Sequence, residues 1–258
     1  MKARRRHWLR PVTVALALAA WLLASPLVAD THDPPEAKPA APDSVLFVGN
    51  SFTFYNNSIH THLRHLLESD DPSLRDSVFL KSMTISGAVL SDHDRGLKQM
   101  LEQWDWDVVV LQGHSLEALE PDSRANFEAS AARLVSMAVE EGARPVLFMT
   151  WAYSDQPEMT AKLKQEYSRL GEELGVMVVP VGLAFEQAPA ELPGLSLHTA
   201  DFKHPTLEGT YLAACVFYSA LWRKSAEPLD YGAGLPDDVA EALRLTAWRT
   251  VQQYYGIQ

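Results

Sequence analysis

Three side chains, far apart along the chain, have the types needed for acyl transfer: Ser51, Asp201 and His204. A serine hydroxyl is a weak nucleophile until a base takes its proton, and imidazole is the side chain best matched to that task near neutral pH. Asp201 and His204 are three residues apart in a turn-like stretch, His198-Thr-Ala-Asp-Phe-Lys-His-Pro-Thr206, so both can face one side. The carboxylate can then accept the Nδ1–H, leaving Nε2 to receive a proton from a hydroxyl. Pro205 disfavours helical backbone at His204 and directs it towards an extended conformation. Ser51 follows Gly49-Asn50, two residues that tolerate positive φ. Its hydroxyl has two readings, a nucleophile or the N-cap of the next helix. An Asp-x-x-His pair alone also fits a solvated histidine before a helix-initiating proline.

Other titratable groups offer less. His60, His62 and His65 are spaced so that the first two diverge on a helix, which reads as a polar helix face and not a metal site. A metal-dependent hydrolase would have to combine Asp201 and His204 with His114 or His198. Trp151 and Tyr153 follow an apolar run and are expected to offer a stacking surface, for which a sugar ring is a natural guest, or else to pack at the rim. Trp104, Trp106, Trp222 and Trp248 are expected at helix–sheet seams.

The elements that must carry these groups alternate. Val45–Val48 is apolar and rich in β-branched residues, as in a strand buried on both faces, and helical spacing follows at Ile59, Leu63, Leu66 and Leu67. Further strands are predicted at Ser77–Leu80, Asp107–Gln112, Pro145–Thr150 and Val176–Val181. Helices are predicted around Leu97–Trp104 and over Asp122–Glu141, Pro157–Leu174, Thr206–Lys224 and Pro236–Tyr254. Gly142 and Gly175 supply helix-stop signals. Such alternation implies right-handed crossovers and a three-layer α/β/α domain with a five-stranded parallel sheet. Ligands bind such sheets at the carboxyl edge, where the loops at Gly49–Thr53, Ser86–Ala88, Gly113–Ser115 and Trp151–Asp155 all emerge.

With Ser51 after the first strand and Asp201 and His204 before the last pair of helices, the sequence resembles the SGNH (GDSL-type) hydrolases across nearly all of residues 44–258. Gly49-Asn50-Ser51 looks like the first block of that family, with Asn50 where Asp is usual. Ser86-Gly87 matches the second block and Asp201-Phe202-Lys203-His204 the last. The sequel Pro205 to Tyr211 is similar to a subgroup that also begins Gly-Asn-Ser-Phe-Thr. The resemblance implies a flavodoxin-like fold, a Ser51–His204–Asp201 triad, no cofactor and no metal, and an oxyanion hole that includes the N–H groups of Ser51 and Gly87. The third block departs. Gly113-His114-Ser115 puts Ser115 where the family has the Asn that completes the hole, and either the Ser115 hydroxyl or the Gln112 amide is expected to replace it. His114, Trp151 and Tyr153 are expected to line the substrate site.

Composition bounds the setting. Lys2, Arg4, Arg5, Arg6 and Arg10 precede the apolar run Val12–Ala24, the layout of a signal peptide over residues 1–29, and Arg5-Arg6 also fits a twin-arginine signal. A Pro-rich tether over 30–43 follows. Export to the periplasm or beyond is expected. Five of the 22 Lys and Arg and none of the 33 Asp and Glu precede Asp30, so the remainder carries 17 positive against 33 negative groups, a net of −16. That balance argues against nucleic acid or an anionic membrane as partner. The single cysteine, Cys215, cannot form an internal disulfide and is expected to be a buried small hydrophobe. The function expected is hydrolysis of a small acyl ester, with an O-acetylated carbohydrate favoured. A non-catalytic glycan-binding module on the same scaffold is the alternative from another class.

Overall fold

A two-sided core places Ser51 at the middle of a sheet edge. The computed structural model describes residues 41–257, all within one unit, Ala40–Gln258. The signal peptide expected over 1–29 and residues 30–40 of the expected tether lie outside the described residues. In chain order, β1 (Ser44–Gly49) leads into a single helical turn, α1 (Ser51–Phe54), then α2 (Ile59–Asp70) and α3 (Leu74–Ser77). β2 (Phe79–Thr84) is followed by a 3₁₀ turn at Leu90–His93 and by α4 (Asp94–Gln103). Next come β3 (Val108–Leu111), α5 (Pro121–Glu140), β4 (Arg144–Phe148), α6 (Met159–Leu174) and β5 (Met177–Val179). α7 (Val181–Glu191), α8 (Leu207–Trp222) and α9 (Asp237–Tyr255) complete the series.

All five strands are parallel, in the order β2-β1-β3-β4-β5. The chain leaves β1 for one neighbour and returns on its other side at β3, so the strand order reverses at β1. An open α/β sheet forms its ligand crevice at such a reversal. Val45–Val48 and Val108–Leu111 are buried because helices cover both faces. One face is covered by α2, α7, α8 and α9, the other by α4, α5 and α6. α8 is buried from Gly209 to Trp222, which is why its sequence is apolar on every side. Its Phe217 meets Phe47 and Phe148 edge-on at 4.9 and 5.0 Å, and Cys215 lies within it, fully buried.

The architecture is the expected one, with local corrections. The second strand begins at Phe79 and runs on to Thr84, not over Ser77–Leu80. The Val78 N–H donates to the Leu74 carbonyl and closes a helical turn there, so pairing starts at Ser44 with Phe79. α7 was not expected, and it accommodates Pro189 inside it. Trp106 and Trp222 are core residues, but Trp104 is exposed, with the Lys81 ammonium 4.1 Å above its ring. Among the described residues, no helix is long and apolar enough to cross a membrane.

The start of α7 lies directly on the loop that leaves β4. A Cβ at Gly182 would collide with the Thr150 carbonyl, and Trp151 Cα would be 3.3 Å away. Gly182→Ala is therefore expected to lower stability by about 1–3 kcal/mol, as overpacking does. Urea unfolding of the variant checks this, and a midpoint equal to wild type would show that the loop gives way freely.

Candidate active site

Gly49 ends β1 because nothing larger fits. A Cβ there would strike the Gln112 amide and lie 2.8 Å from Thr53 Oγ1. Asn50 then caps α1, its Oδ1 accepting the Phe52 N–H at 3.2 Å and its carbonyl accepting from Thr53 and Phe54. The N-cap is thus Asn50, and Ser51 is the first helical residue. The cap reading of Ser51 falls away and its hydroxyl is released for other work. The Asn50 side chain also donates to the Ala88 carbonyl at 3.0 Å, and the Ile85 N–H donates to the Gly49 carbonyl at 3.0 Å. These bonds hold the Ser86-Gly87 loop against the serine turn.

His204 arrives from the other end of the chain. Its Nε2 is 2.9 Å from Ser51 Oγ, and its Nδ1 is 2.5 Å from Asp201 Oδ2. The carboxylate can only accept, so Nδ1 carries the proton and Nε2 accepts the serine O–H. The other oxygen of Asp201 accepts from Thr199 Oγ1 at 2.8 Å and from the N–H groups of Lys203 and His204 at 2.9 and 3.0 Å. Bonding to the His204 imidazole, helped by these donors, holds the Asp201 carboxyl well below the usual carboxylate range although its side chain is 47% exposed.

The imidazole is also fixed by rings. Tyr55 lies flat on it, centroids 4.4 Å apart and planes within 9°, and Phe52 meets it edge-on at 5.8 Å. Phe52 stacks on Trp151 at 4.4 Å, and Trp151 on Phe185 at 4.2 Å. The indole N–H donates to the Lys203 carbonyl at 2.9 Å, next to His204. Trp151 is fully buried, so it braces the histidine loop and offers no stacking surface, which corrects that expectation. Tyr153 is corrected in the same way. It is only 4% exposed, its hydroxyl is 2.7 Å from Ser115 Oγ, and the Lys203 ammonium sits 4.9 Å over its ring.

Gln112 cannot complete an oxyanion hole. Both of its amide hydrogens are engaged, by Asn50 Oδ1 at 2.7 Å and the Gly113 carbonyl at 2.8 Å. Its Oε1 accepts from the Asn50 N–H and from Thr53 Oγ1. It is a buried strut for the serine turn. Ser115 keeps a hydroxyl shared with Tyr153, so that pair holds the movable proton. Gly87 adopts φ +68°, with open space where a Cβ would stand. The His114 N–H donates to Glu117 at 2.9 Å and its Nδ1 accepts weakly from the Leu116 N–H, so its ring is half-buried and turned to its own loop.

Sequence reasoning missed several supports. Asn56, Asn57 and Ser58 have φ of 48°, 72° and 70°, a left-handed run that Asn tolerates better than most residues. Asn56 donates from Nδ2 to the Pro205 carbonyl and Thr210 Oγ1, both at 2.9 Å, joining the serine turn to the histidine loop. His62, expected on a polar face, is instead buried at 5% exposure. Its Nε2–H donates to the Asn56 carbonyl at 2.7 Å, its Nδ1 accepts from the Tyr231 hydroxyl at 2.8 Å, and desolvation lowers its pKa. Glu117, also buried, accepts from the Leu90 and His114 N–H groups, while burial raises its pKa. His198 donates to the Ala152 carbonyl at 2.9 Å, and among the described residues no three His, Cys, Asp or Glu side chains are grouped to hold a metal ion. A cavity of about 400 Å³ beside this loop is lined by Tyr153, Phe185, Leu197 and His198, and by neither Ser51 nor His204.

No family model matches the sequence, and no curated protein matches it either. Solved structures do match. A DUF4886 family protein from Bacteroides uniformis aligns with a TM-score of 0.69 at 20% identity, over 83% of this chain and 96% of that one. An SGNH-hydrolase candidate from Slackia heliotrinireducens aligns at 0.58 and 25% identity, over 68% and 97%. A catalytic mutant of the acetylxylan esterase Axe2 from Geobacillus stearothermophilus aligns at 0.51 and 17% identity, over 66% and 90%. The five-stranded parallel sheet with helices on both faces is the α/β fold of the SGNH hydrolases.

Two outcomes test this geometry. Gln112→Leu strands the buried donors and acceptors around Asn50, and is expected to cost roughly 2–4 kcal/mol by denaturant unfolding, since each such group costs about 1–3 kcal/mol. The second concerns acid. The Asp201 pKa is depressed on folding, so its contribution is present above the unfolded value of 3.8 and lost as pH falls through the lower folded value. Wild-type stability should then fall more steeply below pH 3.8 than that of Asp201→Asn, and parallel acid limbs would disprove the coupling.

Proposed function

We propose that this chain is an exported serine esterase that hydrolyses a small acyl ester through Ser51, His204 and Asp201. One observation carries the reading: a carboxylate, an imidazole and a hydroxyl in line, with bonds of 2.5 and 2.9 Å and the tautomer set for proton removal from Ser51. His204 Nε2 takes the hydroxyl proton as Ser51 Oγ bonds to the ester carbonyl carbon. The tetrahedral adduct collapses, the C–O bond to the alcohol breaks, and His204 returns its proton to the leaving oxygen. Water then attacks the acyl-serine and loses a proton to His204. Collapse releases the carboxylic acid and restores the serine hydroxyl. Asp201, ionised throughout, holds the Nδ1–H and supports the imidazolium.

The developing oxyanion is assigned the N–H groups of Ser51 and Gly87, with the Ser115–Tyr153 hydroxyl pair in place of the usual amide. The Ser51 N–H suits this role because the Asn50 cap takes the Phe52, Thr53 and Phe54 N–H groups and leaves it over. A glycan-binding module would have no use for a base bonded to one hydroxyl, and a metal-dependent site would need His114 or His198 grouped with Asp201 and His204, an arrangement not found among the described residues. The O-acetylated carbohydrate expectation drew on export, the acidic balance and the aromatic pair Trp151 and Tyr153; that pair is buried, so the alcohol stays open. Export rests on residues 1–29, and the ester is the only partner assigned.

A fluorophosphonate probe is expected to label wild type at Ser51 and leave Ser51→Ala unmarked. With p-nitrophenyl acetate, Ser51→Ala and His204→Ala should fall to background. Asp201→Asn should lose about 10³–10⁴ in kcat, and Ser115→Ala about 10²-fold, the scale of one lost oxyanion donor. EDTA should change nothing. Turnover that survives Ser51→Ala would sink the assignment.

A further inference from the structure

Large apolar side chains exposed to solvent are few among the described residues: Phe54, Phe79, Ile85, Trp104, Val139 and Phe202. Scattered singly they would need no explanation. Phe79 and Trp104 pack on each other at the amino ends of β2 and β3, and Val139 lies on α5. The other three are close in sequence to residues of the site. Phe54 is three residues after Ser51, Ile85 two before Gly87, and Phe202 stands between Asp201 and His204. Each of three loops that meet at the nucleophile therefore presents one large apolar group to water.

Phe202 is the most telling of them. Its φ is +67°, a left-handed conformation that glycine adopts freely and a bulky aromatic residue does not. Its carbonyl accepts from the Ser154 N–H at 2.9 Å, and its own N–H donates to the Thr199 carbonyl at 3.0 Å. The turn is thus held at both ends while the residue remains 52% exposed. Backbone strain kept at a functional loop points to a role for what it displays. Phe54 is one ring removed from the imidazole. Its ring centroid is 5.7 Å from Tyr55, whose ring lies on the His204 imidazole. Ile85, 47% exposed, is tied by its N–H to the Gly49 carbonyl, beside the serine turn.

We infer that Phe54, Ile85 and Phe202 form an apolar collar around Ser51 that receives the alkyl chain of an acyl group longer than acetyl. The inference rests on the esterase reading above. None of the three side chains carries a hydrogen-bonding group, which fits an alkyl chain and not a sugar ring, whose hydroxyls need partners. The surplus of acidic groups opposes docking on an anionic lipid surface. Laying methylenes across the collar removes apolar area from water on both sides, most fully when the ester is seated at Ser51.

The test is a chain-length series. For p-nitrophenyl acetate, butyrate, hexanoate and octanoate, all kept below their solubility limits, wild-type kcat/KM should rise about tenfold from acetate to hexanoate, as partial burial of four methylenes gives. Phe202→Gly suits the +67° backbone and removes the ring, so the fold should hold while the hexanoate-to-acetate ratio drops to within about threefold of unity. Phe54→Ser and Ile85→Ser should each lower that ratio. A flat wild-type series, a Phe202→Gly ratio equal to wild type, or a rise seen only when the alcohol of an alkyl acetate is lengthened would overturn the collar and leave the esterase reading intact. A wild type that neither takes the fluorophosphonate probe nor cleaves any ester would overturn both.

Discussion

The contact between His204 Nε2 and Ser51 Oγ joins points 153 residues apart, and most of the site's surroundings serve to keep that span at 2.9 Å. On the serine side, a buried glutamine amide with every hydrogen engaged holds the turn after β1. On the histidine side, Asp201 takes the ring nitrogen and two backbone N–H groups at once, so a shift of its loop would break several bonds together. Asn56 and Trp151 tie the two sides, one by its amide to Pro205, the other by its indole to Lys203. A displacement of about 1 Å in such a pair can cost two orders of magnitude in rate. Under the proposed esterase reading, that scale accounts for the many buried polar groups and stacked rings that converge here when the sheet alone already brings the loops to one edge.

The layering of the fold was legible because buried parallel strands announce themselves. Val45–Val48 and Val108–Leu111 are unbroken apolar runs, and the two helices that flank β4 carry stop signals at Gly142 and Gly175. The second strand was misplaced because Ser77 and Val78 are governed by a hydrogen-bonded turn from Leu74 that leaves no hydrophobic trace. The meeting of Ser51, His204 and Asp201 was legible for a different reason. Ser51, Asp201 and His204 have side chains whose chemistry is read from type and local spacing, so little geometry had to be known.

Residues acting through orientation were not legible. Trp151 looks from the sequence like a ligand platform, since an aromatic residue after a strand lies at the sheet edge in either case. Only the ring planes of Phe52 and Phe185 on its two sides assign it to the interior. Gln112 had the right group for an oxyanion donor, and the number of its hydrogen bonds is what disqualifies it. Asn56 to Ser58 gave no warning, because left-handed backbone at three successive residues is sustained by partners outside the turn: His62 on the next helix and Pro205 from far along the chain.

The solitary sulfhydryl has a practical corollary. Cys215 sits inside α8 with no solvent contact, and burial pushes its thiol up to about 12. Thiolate is the reactive form, so the group is chemically silent at any pH where the domain would work. Thiol–disulfide exchange with the surroundings therefore has no partner in the described domain while α8 stays folded. A thiol-selective electrophile that modifies the molecule is then reporting that α8 has opened.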